Sequence, residues 1–263
     1  MKQKLRSLFY IAEDGSAPAA LRAINFIAAF LLVTFVVSLS FYQLTNRDGW
    51  SAVAASWRVF VSGWIATILI SIAALSLSMI VGALVALARK SPLLILRDFS
   101  KIYVEVIRGT PLLVQIYVFY YGIFHQVGID NRYVAGVLIL SGFSGAYISE
   151  IIRAGIESVG KSQLDSARAI GLTTAQTYRH VIFPQTIRRI LPPLAGQFAS
   201  LIKDSSLLSI IGLNELTQGT QGVASNTFSS MESYFPLAVG YLVLTLPISL
   251  WTQSLERKHK FET

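Results

Sequence analysis

Cysteine is absent from this 263-residue chain. Its absence excludes disulfides, thiol nucleophiles and cysteine-ligated zinc. Histidine is nearly absent: His125, His180 and His259 stand far apart, and no H-E-x-x-H pattern joins any two of them. Charge is the next shortage. Only 14% of residues are Asp, Glu, Lys or Arg, against 53% hydrophobic, whereas a soluble domain carries about 25% charged residues. With a mean hydropathy of +0.57, the chain has too little charge to coat a water-facing globule and is too apolar for disorder. The charge that exists is one-sided, +8 net. On a soluble protein this excess points to nucleic acid; on an apolar chain it points to basic loops facing the cytoplasm.

What the chain has in abundance is long apolar runs. A helix needs about 20 apolar residues to cross a bilayer, and six runs qualify: 24–44, 64–88, 103–125, 133–155, 190–212 and 234–255. The third carries Glu105 and Arg108 near its start, the fourth carries Glu150 and Arg153 near its end, and Lys203 and Asp204 interrupt the fifth. The first run reads as a retained anchor and not as a secretory signal, because it is long for a signal core and Glu13 and Asp14 precede it. Lysine and arginine set the expected orientation. Eighteen of them fall in the N-terminal segment, the second-to-third and fourth-to-fifth connections and the C-terminus, whereas the alternate connections hold only Arg47, Arg58 and Arg132. Both termini are therefore expected in the cytoplasm.

Helix packing is legible too. Ala74, Ser78, Gly82 and Ala86 recur every four residues, a spacing that lets a second backbone approach closely, and Gly142 and Ala146 fit the same rule. The segment 50–63, with Trp50, Trp57 and Trp64 seven apart, reads either as an interfacial anchor or as a loop packed on the bundle. Gly155 to Ser162 satisfies G-x-x-x-x-G-K-[ST]. The pattern cradles phosphate only between a strand and a helix; here it follows the end of an apolar helix, so it reads as a chance match.

The connection between the fourth and fifth runs carries the most specific signal. Ser162-Gln163-Leu164-Asp165 reads as a capping box opening a helix over 164–170, with Gly171 as its C-cap. Thr173-Thr174-Ala175-Gln176 restarts a second helix that Pro184 is expected to end. Two capped short helices favour a docking surface. Asp165-Ser166-Ala167, Gly171 six residues after Asp165, and Val181-Ile182-Phe183-Pro184 resemble the E-A-A…G…I-x-L-P loop of ABC-importer permeases, with Asp for Glu and Ser for Ala at the first two positions. Three further segments resemble the polar amino acid branch of that family: Glu105 to Gln115 (EVIRGTPLLVQ), Gly145 to Arg153 (GAYISEIIR) and Ile202 to Leu207 (IKDSSL). The similarity spans roughly residues 60–257.

The resemblance implies an all-α, polytopic membrane bundle of about six transmembrane helices with the type I ABC importer permease fold. Residues 1–50 would form an N-terminal cytoplasmic segment and an additional helix. Residues 51–263 would form a five-helix permease core with a cytoplasmic coupling loop at about 155–190. It further implies an importer subunit in a bacterial cytoplasmic membrane. Two ATPase subunits would bind ATP and Mg and dock on the loop residues Asp165, Ser166, Ala167, Gly171 and Pro184. A second permease subunit, identical or related, and an extracytoplasmic solute-binding protein would complete the assembly. The chain itself is expected to hold no cofactor, metal or catalytic site.

Ionisable groups inside a bilayer are costly and face a cavity or a partner. An amino acid zwitterion needs an anion for its ammonium and donors for its carboxylate. Glu150 or Asp204 suits the first need; Lys203, Ser205 and Thr110 suit the second, and Gln115 joins them in the pathway set. Arg108-Gly109-Thr110-Pro111 begins a helix, where proline is tolerated, and reads either as a kink near Gly109 that shapes the pathway or as a helix-packing motif. The alternative is structural: Glu150 pairs with Arg153, and Lys203 pairs with Asp204 or reaches the outer interface. Two rival functions remain at this level, a secondary transporter driven by an ion gradient and a scaffold without a pathway. No second copy of the loop motif supports the repeated halves that the first would need.

Overall fold

A computed structural model describes residues 19–42 and 47–258, and every regular element among them is helical. The expected N-terminal cytoplasmic segment, with Lys2, Lys4 and Arg6, lies outside the described residues, as does Lys260. The chain divides after Ser51 into two units. In the first unit, helix α1 (Ala19–Tyr42) covers most of the first apolar run. Helix α2 (Arg47–Ala55) contains the unit boundary.

The second unit is built on α3 (Trp57–Ala88) and α6 (Arg132–Glu157), which make its most extensive helix pair. Helix α3 begins seven residues before the apolar run does, so Trp57 and Trp64 both lie on it, and segment 50–63 is helical apart from a single-residue break at Ser56. The Trp64 indole N–H donates to the Gly240 carbonyl at 3.1 Å. The four-residue stripe is buried as expected: Ala74 and Ser78 are fully inaccessible, and Gly82 and Ala86 are buried. A Cβ on Gly82 would stand 2.5 Å from Ile148 Cγ2, and one on Gly145 would stand 2.7 Å from Val81 Cγ1. The missing side chains are what let the two backbones meet. The Ser141 hydroxyl donates to the Ala74 carbonyl across this interface at 3.1 Å. Ala146 is fully buried. Gly142 departs from expectation: a Cβ there would meet open space, and its carbonyl instead accepts from the Tyr103 hydroxyl.

The third apolar run is not one helix. Helix α4 (Leu94–Gly109) starts nine residues earlier than that run, and the chain then breaks at Thr110–Pro111. Helix α5 (Leu112–Tyr117) continues as a π-helical turn to Phe124, and the two halves meet at 112°. Proline explains the break. It has no N–H for the helical ladder and drives the residue before it out of the α region; Thr110 is extended at φ −121°, ψ 145°.

The connection after α6 holds α7 (Lys161–Ala169) and α8 (Thr174–Thr177), the latter running on as π-helix to Ile182. Helix α9 (Phe183–Asp204) contains Pro192 and Pro193 and passes into a 3₁₀ segment, Ser205–Ile211. The fifth apolar run therefore starts seven residues inside α9 and ends at Gly212, whose φ is +67°. Helices α10 (Leu216–Thr227) and α11 (Ser230–Lys258) complete the unit. By length and apolarity α3, α6 and α11 each suffice to cross a bilayer, and the bent α4–α5 pair makes a fourth crossing if it counts as one span. Helix α9 is also long, 22 residues, but carries Arg188, Arg189 and Lys203. Ile70, Ile116, Leu140, Leu201 and Leu208 form the core where α3, α5, α6, α9 and the 3₁₀ segment converge.

Candidate functional site

Glu150 stands near the C-terminal end of α6 with its side chain 16% exposed. Three guanidinium groups surround it. Arg153, one turn on, reaches it at 2.8 Å. Arg89, just past the end of α3, donates a hydrogen bond to it. Arg108, in the last turn of α4, lies 3.6 Å away and sets its guanidinium 5.3 Å from the centre of the Tyr147 ring. Arg153 also reaches Glu157 at 2.5 Å. The structural pairing of Glu150 with Arg153 is thus present, within a larger cluster that ties the ends of three helices together. Charge-assisted bonds of this kind are stronger than neutral ones. Arg89 and Arg108 escaped the reading of the sequence because they lie 61 and 42 positions from Glu150. The available signal was position: Arg89 directly follows the second apolar run and Arg108 lies near the start of the third, ends expected on the same side as Glu150.

Thr110 and Gln115 are brought together at the break. The Gln115 side-chain amide donates to the Thr110 hydroxyl at 2.8 Å and to the Ile107 carbonyl at 2.7 Å. Arg108 connects this pair to the Glu150 cluster along the chain. Lys203, Asp204 and Ser205 form a separate group where α9 becomes 3₁₀. Lys203 is exposed and Asp204 half-buried beside it, while the buried Ser205 donates its hydroxyl to the Ile202 carbonyl at 2.7 Å. Among the described residues, no hydrogen bond or ion pair joins this group to Glu150, Thr110 or Gln115.

Like Glu232, Glu215 is a buried acid that sequence reasoning missed. It is fully inaccessible and caps α10 with its carboxylate. The backbone N–H groups of Thr217 and Gln218 each donate to it at 2.8 Å, and the Tyr241 hydroxyl donates at 2.9 Å. In this connection between α9 and α11, burial pushes the Glu215 carboxyl above its ordinary range, opposed by those hydrogen bonds. Ser, Thr, Asp and Asn are the usual caps, so Asn214-Glu215-Leu216 gives little warning.

The connection 158–182 is a folded unit. Helix α7 starts at Gly160, two residues before the expected cap. Ser162 therefore sits inside the helix, and its carbonyl accepts from Ser166 Oγ at 2.9 Å instead of opening a capping box. The end of α7 is as expected. Gly171 has φ +77°, the Leu172 N–H donates to the Ala167 carbonyl at 3.0 Å and the Gly171 N–H to the Arg168 carbonyl at 2.9 Å. Those two bonds make a Schellman motif. Thr173 and Gln176 form the expected reciprocal capping box. Pro184 does not end α8. It lies in the first turn of α9, where a missing N–H is harmless. Ala167 is buried, Asp165 pairs loosely with Arg168 at 3.6 Å on the exposed face, and Ile170 is 76% exposed at the tip. Gln185 donates to Gln163, pinning α7 to α9. Gly155 of the phosphate-loop match is inside α6, where a Cβ would stand 2.2 Å from Ile190 Cγ2. It is a helix-packing glycine.

Residues 78–260 match the model of a family described as the binding-protein-dependent transport system inner membrane component. The chain belongs to this family. It is 36% identical over 214 residues to the glutamine transport system permease protein GlnP of Escherichia coli, covering 80% of this chain and 97% of that one. Among solved structures, one of an amino acid ABC transporter with histidines superposes at a TM-score of 0.74 with 37% identity, over 78% of this chain and 96% of the other. An inward-facing MetNI methionine ABC transporter shares the fold at a TM-score of 0.64 and 16% identity, over 77% of this permease and 96% of that chain. The fold is the all-α type I importer permease bundle that the loop motif implied.

Proposed function

We propose that this permease moves a polar amino acid inward across a bacterial cytoplasmic membrane, on ATP hydrolysed by partner subunits. The observation that carries the reading is the doubly capped loop. Closed by its own caps, it follows the C-terminal end of α6, which the charge asymmetry assigns to the cytoplasm in this reading, and it presents Asp165, Ser166 and the exposed Ile170 as a docking surface. The 37% identity to a chain of an amino acid ABC transporter supports the substrate class. Two ATPase subunits, holding ATP and Mg, dock on the loops of two permease subunits, this chain and an identical or related one. An extracytoplasmic solute-binding protein delivers the substrate. The pathway draws on Thr110, Gln115, Lys203, Asp204 and Ser205, with Glu150 at its cytoplasmic end.

Proteoliposomes holding the permease with its ATPase, supplied with the solute-binding protein, should accumulate a labelled polar amino acid only when ATP is present on the ATPase side. Uptake driven by an ion gradient with no ATPase subunit would instead establish a secondary transporter. Both termini lie in the cytoplasm in this scheme, on the charge asymmetry. Reporter fusions at Gly128, Ser158 and Val223 should read outside, inside and outside; a cytoplasmic signal at Val223 would overturn the orientation.

A further inference from the structure

The break at Thr110–Pro111 leaves a specific debt in the hydrogen-bond ladder. In an unbroken helix the N–H of residue 111 donates to the carbonyl of Ile107. Proline has no N–H. The missing donor comes from Gln115, whose Nε2 lies 2.7 Å from the Ile107 carbonyl. The same nitrogen lies 2.8 Å from Thr110 Oγ1 and 3.1 Å from the Thr110 carbonyl. The Thr110 hydroxyl in turn donates to the Val106 carbonyl at 2.9 Å. The Gln115 backbone N–H donates to the Pro111 carbonyl at 3.1 Å, which closes the first turn of α5. One residue therefore binds both sides of the break, and it does so where water offers little replacement, since Gln115 is 5% exposed. The two residues before Thr110 carry the consequence outward. Gly109 has open space around it, and Arg108 makes the contacts to Glu150 and Tyr147.

We propose that Gln115 is a positioning residue of this permease: its side-chain amide replaces the N–H that Pro111 lacks, fixing the angle between α4 and α5 and thereby the place of Arg108 against Glu150. The claim about the angle rests on this bond and not on transport; only the uptake readout below rests on the proposed transport function. A residue that touches the substrate would behave differently, because its loss could not be repaired by changing Pro111.

The absence of cysteine makes the angle measurable. Cysteines introduced at Ile102 and Val118, both exposed on either side of the break, take spin labels with no background from this chain, and labelling it before assembly with its partners keeps theirs out of the signal. In the assembled permease–ATPase complex in nanodiscs, the parent should give one narrow distance. Gln115→Leu should broaden or shift it, and ATP-driven uptake should fall about tenfold. Pro111→Ala returns an N–H to position 111 that reaches Ile107 only if Thr110 turns helical, so by itself it should lengthen the label distance and lower uptake to a measurable remainder, and in that background adding Gln115→Leu should change uptake less than twofold. An unchanged narrow distance in Gln115→Leu, or an equal loss of uptake in both backgrounds, would overturn the proposal. Should Gln115→Leu fail to assemble alone, the comparison of Pro111→Ala with Pro111→Ala/Gln115→Leu decides it: equal uptake supports the replacement and a further loss refutes it. Absence of uptake in the parent would refute the transport reading and leave the label distances to judge Gln115.

Discussion

Two interruptions of helix in this permease are solved in opposite ways. At Gly171 the end of α7 is closed by its own neighbours: the Leu172 and Gly171 amides bond to carbonyls five and three residues back. At Pro111 the closure comes from a side chain, Gln115, reaching eight residues back to Ile107. The first break is exposed, so water stands in for any bond that loosens. At the second, Gly109, Thr110 and Pro111 are exposed, but the bond that closes it lies between the buried Ile107 and Gln115, and a group that loses its partner there stays unpaired. The second is also braced from outside, by Arg108 on Glu150 and Tyr147. Local chemistry makes the loop break self-sufficient, whereas the break at Pro111 is held by a buried side chain and by contacts from other helices.

The largest effect is expected at the external brace. Glu150 is the anion shared by Arg89, Arg108 and Arg153. Glu150→Gln removes it and leaves three guanidinium groups facing a neutral amide. Breaking a largely buried charge pair by deleting one partner costs about 3–5 kcal/mol. The expected outcome is a marked drop in the thermal midpoint of the purified complex. Arg153 still has Glu157 at 2.5 Å, so Glu150→Gln/Arg153→Gln removes one cation from the cluster, leaves Arg89 and Arg108 without their anion, and should recover only a small part of it. The same pair of variants separates the two roles open to Glu150. If the carboxylate also receives a substrate ammonium, the double variant regains that small part of the stability without regaining substrate-stimulated ATP hydrolysis. A Glu150→Gln complex as stable as the parent would show that the arginines need no counter-ion, and the comparison drawn above would lose its buried half.

The contrast between the breaks also governs what was legible in the sequence. The Schellman end at Gly171 and the box at Thr173–Gln176 are written in consecutive residues, and both were readable. So was the Ala74–Ser78–Gly82–Ala86 stripe, because helical periodicity puts those residues on one face regardless of what packs there. The misreadings have the opposite character. Pro111 inside the third apolar run pointed to a kink near Gly109, yet hydropathy is blind to direction, and an apolar count runs straight through what is a 112° bend between two helices. Ser162 had the residue types of a cap, but the helix is capped two residues earlier, at Gly160, and Ser162 already lies inside it. The partners of Glu150 on α3 and α4, and the burial of Glu215 beneath Tyr241, depend on which helices meet, information that no window of consecutive residues contains.

A smaller effect, confined to function, is expected at the loop. Gly171 has φ +77°, and a Cβ there would find nothing within 4 Å. Space is therefore no obstacle to a side chain; backbone strain is the whole of the penalty. An L-residue held in the left-handed region costs roughly 1–2 kcal/mol, and asparagine tolerates that region best among them. The end of α7 is exposed, so the strain is relieved by fraying the last turn and the membrane helices are left alone. Gly171→Val should insert and assemble with the second permease subunit like the parent. Its substrate-stimulated ATP hydrolysis should fall about 5- to 30-fold, the factor that 1–2 kcal/mol sets on an equilibrium, because the frayed turn no longer presents Asp165, Ser166 and Ile170 in one geometry. Gly171→Asn should fall between the two, since it keeps the left-handed turn at lower strain. That graded order is the signature of a break closed by its own backbone, and it has no counterpart at Gln115, where the amide either reaches Ile107 or does not. If valine and asparagine gave equal losses, a direct contact of the docking partner at position 171 would be the cause, and the loop would not be the self-sufficient half of the pair.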